Sequence, residues 1–363
     1  MDRVPSKIDM EKVRVLFGGD CTLQTRGIND SPFKFLEELF NEFDLIIFNL
    51  ETVILRDTQV YHKNGNKSVY YGISDSQLSW LINAPYKGKL VFCLANNHIL
   101  DFGFEGYLST VDFLEEHKIK YAPIDHSKLH ELNGVKLRIF SYYNGINNSF
   151  QKALRAGNTD AYDDEIAIVC PHWGDEHVIV PSYKQLKFAD LLFENGVDII
   201  IGHHSPTPQA VMMKEEKIVA FSLGNLNIYQ EDVRPQKINE MAYLLGVDLA
   251  KDKTLSYSQY PISISKDGFP SLTADHDIIT SINLINGTLP ISAFGSMIHS
   301  SWIFLYSNIV GGWIPRLKKD FLRELFNMLR WFCSRKVISY VVVLPLFPFN
   351  KSTKLLKNIN RND

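Results

Sequence analysis

Side chains suited to metal binding and acid–base work recur in this chain at one kind of place, directly after a short apolar run. Residues 13–17 lead through Gly18-Gly19 to Asp20, residues 44–48 lead to Asn49-Leu50-Glu51, and residues 90–94 lead to Asn97-His98. Residues 166–170 lead through Pro171 to His172, and residues 197–201 lead through Gly202 to His203-His204. Imidazole nitrogens mixed with carboxylate and amide oxygens are the donors that divalent Zn, Mn or Fe sites use, for one ion or two. The densest stretch is Leu94 to Gly103, LANNHILDFG, where Asn96, Asn97 and Asp101 are also ordinary turn formers. For that stretch alone, a turn beside a satisfied histidine is as good a reading as a site.

Whether these residues meet depends on the elements that carry them. The five runs are largely apolar throughout, the pattern of central strands covered on both faces. Residues 136–140, 218–221 and 242–247 read as further strands, the second closing on Ser222-Leu223-Gly224-Asn225. A helix is expected at 33–43 and another at 104–118, where Leu108, Val111, Phe113 and Leu114 share a face. A third opens at Pro181-Ser182 and stops at Asn195-Gly196. Such an alternation predicts an α/β fold with all five polar clusters outside the carboxyl ends of its strands, the edge where open α/β sheets build sites. The polar stretch 56–75, with Tyr61, His62, Tyr70 and Tyr71, is expected to wall a cleft there.

At 363 residues the chain is longer than a single core usually becomes. Its texture changes near residue 257, which divides an α/β domain (1–256) from a C-terminal extension (257–363) with short strand-like pieces around Pro261, Asp267-Gly268 and Asn286-Gly287. Within the extension, Ile314, Leu317, Phe321, Leu325, Leu329 and Phe332 keep helical spacing opposite Arg316, Lys318, Lys319, Arg323 and Arg330. A basic amphipathic helix suits an anionic membrane surface or a partner, although packing on its own protein is commoner. The net charge is −3, yet from Arg316 to Asp363 eleven Lys and Arg stand against three acids. No basic stripe with interleaved aromatics runs beside the candidate site, so nucleic acid is not an expected partner. Cys21, Cys93, Cys170 and Cys333 show no paired spacing and read as reduced core residues. No apolar stretch of signal length precedes the first strand, and no run reaches the roughly 18 apolar residues of a spanning helix. A cytoplasmic location is therefore expected, with membrane association an option through the basic region.

The ordered set GGD, NLE, LANNHxxDxG, HWGxE, GHH and SLGN, from Gly18 to Asn225, resembles the CapA family of capsule and poly-gamma-glutamate biosynthesis proteins. That family is related to the calcineurin-like metallophosphoesterases. The resemblance implies an α/β sandwich of two β-sheets between helix layers, with metal at the strand ends. It also implies that Asp20 is a ligand of a first metal, that Glu51 bridges, and that Asn97, His172 and His204 hold a second. His98 would be the proton donor to the leaving oxygen and Asp101 would orient its ring. His203, Glu176 and Asn225 are further candidates.

Two positions depart from the family pattern. Relatives usually carry a histidine where this chain has Pro206, and the phosphoesterases another where it has Thr22. That leaves Asp20 and Glu51 for the first metal and implies a single-metal or weakly two-metal centre unless His203 compensates. The expected function is a metal-dependent phosphoesterase-like hydrolase acting on a phosphorylated or polymeric substrate in capsule, surface polysaccharide or polyglutamate synthesis. The alternative is a non-hydrolytic accessory protein of a capsule assembly complex with a degenerate site.

Overall fold

The computed structural model describes residues 12–27, 30–67, 69–124, 126–143, 164–176, 178–229 and 241–286. Its strands in chain order are β1 (Lys12–Cys21), β2 (Leu45–Leu50), β3 (Val53–Leu55), β4 (Gly72–Ser74), β5 (Leu90–Cys93), β6 (Lys120–Ala122), β7 (Ser127–Leu132) and β8 (Val135–Tyr143). They continue with β9 (Ile166–His172), β10 (Ile199–Ile201), β11 (Val211–Lys214), β12 (Lys217–Ala220), β13 (Asn225–Asn227), β14 (Met241–Ala250), β15 (Leu255–Ile264) and β16 (Pro270–Leu272). One sheet runs β16-β15-β14-β1-β2-β5-β6, with β13 also on β1, and a second runs β11-β12-β10-β9-β8-β7. β3 and β4 form a small parallel pair.

The sheets face each other, and the pleat decides which residues meet between them. Val15, Phe17, Ile47, Val91 and Cys93 of the first sheet pack against Leu137, Ile139, Ile168, Cys170, Ile199 and Ile201 of the second. The alternate residues Leu16, Ile46, Phe48 and Phe92 turn outward under the helix Gly103–Glu116 and the segment around Phe33, Leu36 and Phe40. On the other side, Val169, Ile200 and Phe221 pack under the helix Tyr183–Glu194. Central strands are thus buried on both faces, which is why they read as unbroken apolar runs. The helix Tyr183–Glu194 begins as its sequence predicts, with Ser182 and Gln185 closing a reciprocal cap. Cys21, Cys93 and Cys170 are buried free thiols.

Two expectations change. The boundary expected between residues 256 and 257 falls inside β15, which pairs with β14 from Leu249↔Leu255 to Met241↔Ser263. The change of texture marks an outer antiparallel strand with one wet face, and β15 and β16 remain part of the first sheet. The helix His276–Asn286 is tied to both sheets, since the Asn286 side chain accepts from Val211 N at 3.0 Å and donates to Gln259 Oε1 at 2.7 Å. The basic helix at 313–336, Cys333 and the remainder of the extension lie outside the described residues. Among those described, no helix is long and apolar enough to cross a membrane.

Gly18-Gly19 does not end the first strand. β1 continues through it to Cys21, with its register to β2 shifted between Phe17 and Asp20. A Cβ on Gly19 would stand 1.8 Å from the carbonyl oxygen of Gly224, so only glycine lets the two backbones approach here. Gly19→Ala is therefore expected to lower stability by at least about 2 kcal/mol in urea unfolding. Gly88→Ala, whose Cβ meets nothing within 4 Å, is the control and should change little.

Candidate metal centre

Strand register brings the first set of polar residues together. β1 and β2 align Asp20 with Asn49, and β2 and β5 align Asn49 with Cys93, so Asp20, Glu51 and residues 94–98 share one edge. In the facing sheet β9 ends on His172, which bridges His203 at the exit of β10. The two edges meet where the backbone N–H of His204 donates to Asp20 Oδ2 at 2.8 Å. His204 takes a left-handed backbone with φ of 92°, rare for a residue with a side chain and a form of strain that recurs at functional sites.

Glu51, His172 and His204 offer ligand atoms all within 4.8 Å of one another. His172 Nε2 lies 2.5 Å from Asn97 Oδ1, 3.1 Å from His204 Nδ1 and 3.5 Å from Glu51 Oε1. An imidazole nitrogen carries at most one hydrogen and cannot donate to both the Asn97 and the Glu51 oxygen. Donors sharing one ion through bonds of about 2.0–2.2 Å would stand roughly 3.0–3.5 Å apart. The group therefore suits a divalent cation.

The charges fit the same purpose. Burial, with His204 and His203 close by, holds the His172 imidazole well below its ordinary pKa, so it is neutral, as a ligand must be. Burial pushes the Glu51 carboxyl well above the usual range, and the charges of Asp20, Glu176 and Asp101 add to the effect. Burial would raise Asp20 too, but His203, His172 and the His204 N–H outweigh it and bring the carboxyl to about 2. An ionised Asp20 beside a Glu51 that resists ionisation is a pair a cation would relieve. Asn49 Nδ2 donates to Asp20 Oδ1 at 2.7 Å and lies 3.3 Å from His172 Nδ1.

His98 sits at the rim of this group. Its Nε2 is 4.0 Å from Glu51 Oε1, and its Nδ1 donates to Asp101 Oδ2 at 2.7 Å. The buried Asp101 carboxylate also accepts from Tyr71 N at 2.7 Å and from Lys67 Nζ, which in turn donates to the carbonyl of Asn97. The Tyr71 ring packs on His98 with centroids 4.3 Å apart, and Tyr143 meets His172 edge-on. The polar stretch 56–75 thus walls the site through Lys67 and Tyr71, while Tyr61 bonds within its own loop and His62 is exposed.

Asp20, Glu51, Asn97, His98, Asp101, His172, His203 and His204 are therefore brought together. Asn225 opens β13 beside Asp20, whereas Glu176 is exposed and bears on Glu51 through its charge. Thr22 and Pro206 serve the framework: the Thr22 hydroxyl donates to the Asn227 carbonyl, and the Pro206 carbonyl accepts from Asn225 N. The sequence reading passed over Asn49, Lys67 and Tyr143. Asn49 was legible from its place at a strand end, but nothing local marks Lys67, which arrives from a loop distant in sequence.

The fold is thus a two-sheet α/β sandwich that gathers carboxylate, amide and imidazole side chains at facing strand ends. The chain is a member of the family described as bacterial capsule synthesis protein PGA_cap, which it matches over residues 14–230. It is 23% identical over 221 residues to the capsule biosynthesis protein CapA of Bacillus anthracis, covering 54% of this chain and 53% of that one. It is 25% identical over 262 residues to a probable polyglutamine synthesis accessory protein of Mycobacterium tuberculosis, covering 61% and 67%. The chain thus spans about half the length of the Bacillus relative. A novel phosphatase of solved structure from Mycoplasma pneumoniae aligns at 13% identity and a TM-score of 0.40, over 69% of this chain and 94% of that one.

Asp101→Asn removes a buried charge that receives three donors and is expected to cost about 2–3 kcal/mol of stability at neutral pH. Burial opposes ionisation of Asp101, but the bonds from His98, Lys67 and Tyr71 prevail and hold its pKa below the ordinary 3.8. Its contribution is present above that value and fades as pH falls through the lowered one. Denaturant unfolding against pH should accordingly show a flatter acid limb in the variant.

Proposed function

We propose that the chain is a metal-dependent phosphoesterase-like hydrolase acting on a phosphorylated or polymeric substrate in capsule or poly-gamma-glutamate synthesis. The observation that supports this most is the convergence of Asn97, His204 and Glu51 on His172 Nε2, at 2.5, 3.1 and 3.5 Å. Glu51, Asn97, His172 and His204 would hold the ion, Zn, Mn or Fe, with Asp20 alongside. A bound divalent ion supplies a Lewis acid and lowers the pKa of water to make a nucleophile near neutral pH. His98 has Nδ1 committed to Asp101, so the proton it can give is the one at Nε2, facing the centre. Delivered to the leaving-group oxygen, that proton completes bond cleavage. Asp101 fixes the ring, and Lys67 and Tyr71 keep Asp101 in place.

Thr22 and Pro206, where relatives carry histidines, favour a second reading: a non-hydrolytic accessory protein of a capsule assembly complex. The accessory name of the mycobacterial relative points the same way. In either case the basic sequence from Arg316 onward is the segment we assign to a partner or a membrane.

Metal content and phosphoester turnover after loading with Mn, Zn or Fe separate the two readings. For a hydrolase, His172→Ala loses both metal and turnover, while His98→Ala keeps metal and loses about 10²–10⁴-fold in rate. Absence of turnover at every metal load, with a defect confined to polymer assembly, would establish the accessory role.

A further inference from the structure

We propose that Lys67 binds substrate: its ammonium seats an anionic group, a carboxylate or a phosphate, borne by the leaving group of the phosphoester. The proposal rests on the hydrolase reading above and deepens it by naming the class of substrate. Lys67 Nζ donates to Asp101 and to the carbonyl of Asn97. An ammonium has three N–H donors, and the third has no acceptor among the described residues. Asp101 is fully buried whereas the Lys67 side chain is 38% exposed, so the ammonium caps a buried carboxylate with one side open to solvent.

The same carboxylate fixes which side of the reaction the ammonium serves. Asp101 Oδ1 accepts from Lys67, and Oδ2 accepts from His98 Nδ1 and Tyr71 N, so ammonium and imidazole are neighbours across one carboxylate. His98 is the group assigned to the leaving oxygen, so a cation beside it meets the leaving group. In the cleavage, the oxygen of water bonds to phosphorus and the P–O bond to the leaving group breaks, its electron pair staying on the leaving oxygen. That oxygen takes the Nε2 proton of His98, and a proton of the attacking water restores it. The surrounding charges make the position distinctive. Asp20, Glu176 and Asp101 oppose ionisation of Glu51, and Lys67 favours it. A second anionic group on the substrate is repelled beside those acids and accommodated beside Lys67.

The ammonium is presented by a loop already held in place. Lys67 N donates to the Tyr70 hydroxyl at 2.9 Å, and that hydroxyl donates to the Gly65 carbonyl at 2.8 Å. Asn64 N donates to the Asp101 carbonyl at 2.7 Å, and Asn64 Nδ2 donates to the Leu100 carbonyl at 3.1 Å. A lysine fixed at its backbone by the loop and at its head by two acceptors loses little further freedom when a ligand takes the third N–H, which favours binding.

Phosphonates that differ at one end provide the test: propylphosphonate, 3-phosphonopropionate and ethylenediphosphonate, titrated calorimetrically into Mn2+-loaded wild type, Lys67→Gln, Lys67→Met and Lys67→Arg, with thermal melts to show folding. The glutamine variant keeps a donor for Asp101 without the charge and carries the test if the methionine variant fails to fold. Wild type is expected to bind an anionic ligand about 10-fold or more tighter than propylphosphonate, as a charge-assisted hydrogen bond would give, and the better of the two identifies carboxylate or phosphate. Lys67→Gln and Lys67→Met should lose that preference, and Lys67→Arg should keep it. Equal binding of all three ligands by wild type, binding of none, or a preference that survives Lys67→Gln overturns the proposal. So does an equal loss of affinity for all three in the variants, the result for a lysine that only positions Asp101 and His98. Turnover of 2-phosphoglycolate and ethyl phosphate is followed in parallel. A preference that depends on Lys67 without turnover of either leaves the anion site standing and refutes the hydrolase reading. Turnover of both at equal kcat/KM, unchanged in Lys67→Gln, refutes this proposal alone.

Discussion

The Asp20 carboxylate is fully buried, and its two oxygens are claimed by different parts of the fold. Oδ1 accepts from Asn49 on the adjacent strand, and Oδ2 accepts from the backbone of His204, which comes from the facing sheet. A buried carboxylate stripped of such partners costs several kcal/mol. The sheet edges cannot drift apart without exposing that cost, and the polar centre inherits their alignment. The apolar interior between the sheets supplies much of the stability.

Around that carboxylate the backbone is shaped by close approaches that side chains would forbid. Gly19 lets β1 pass against Gly224, and Gly202 does the same against the carbonyl of Phe221, where a Cβ would stand only 2.0 Å away. His204 holds a left-handed conformation that costs on the order of 1–3 kcal/mol for a residue of its kind. Such a turn persists only because the Asp20 bond and the packed strands on either side leave the chain no other course. The rim is built differently. Asp101 gathers His98, Lys67 and Tyr71, so one anion orders both His98 and the loop that shelters it.

The chain belongs to the bacterial capsule synthesis family PGA_cap, and Glu51, His172 and His204 gather as a donor cluster at its strand ends. Thr22 and Pro206 serve the framework, and His203 lies buried against Asp20.

Much of this was legible from sequence. Apolar runs ending on polar residues gave the central strands, and Ser182 and Asn195-Gly196 marked a helix at both ends, because hydrophobic period and capping are local properties. The family motifs marked residues that the fold gathers at one edge, since each motif is a short strand-to-loop turn. Three features belonged to the tertiary structure. Gly18-Gly19 continued its strand, because the partner that tolerates it, Gly224, lies far along the chain. The boundary near 257 dissolved into a strand of the first sheet, because alternation on a half-wet face resembles a change of texture until its pairing with β14 is seen. Lys67 joined the site, and His203 rather than Pro206 came to face Asp20, because direction in space depends on backbone turns and facing sheets that no window of sequence contains.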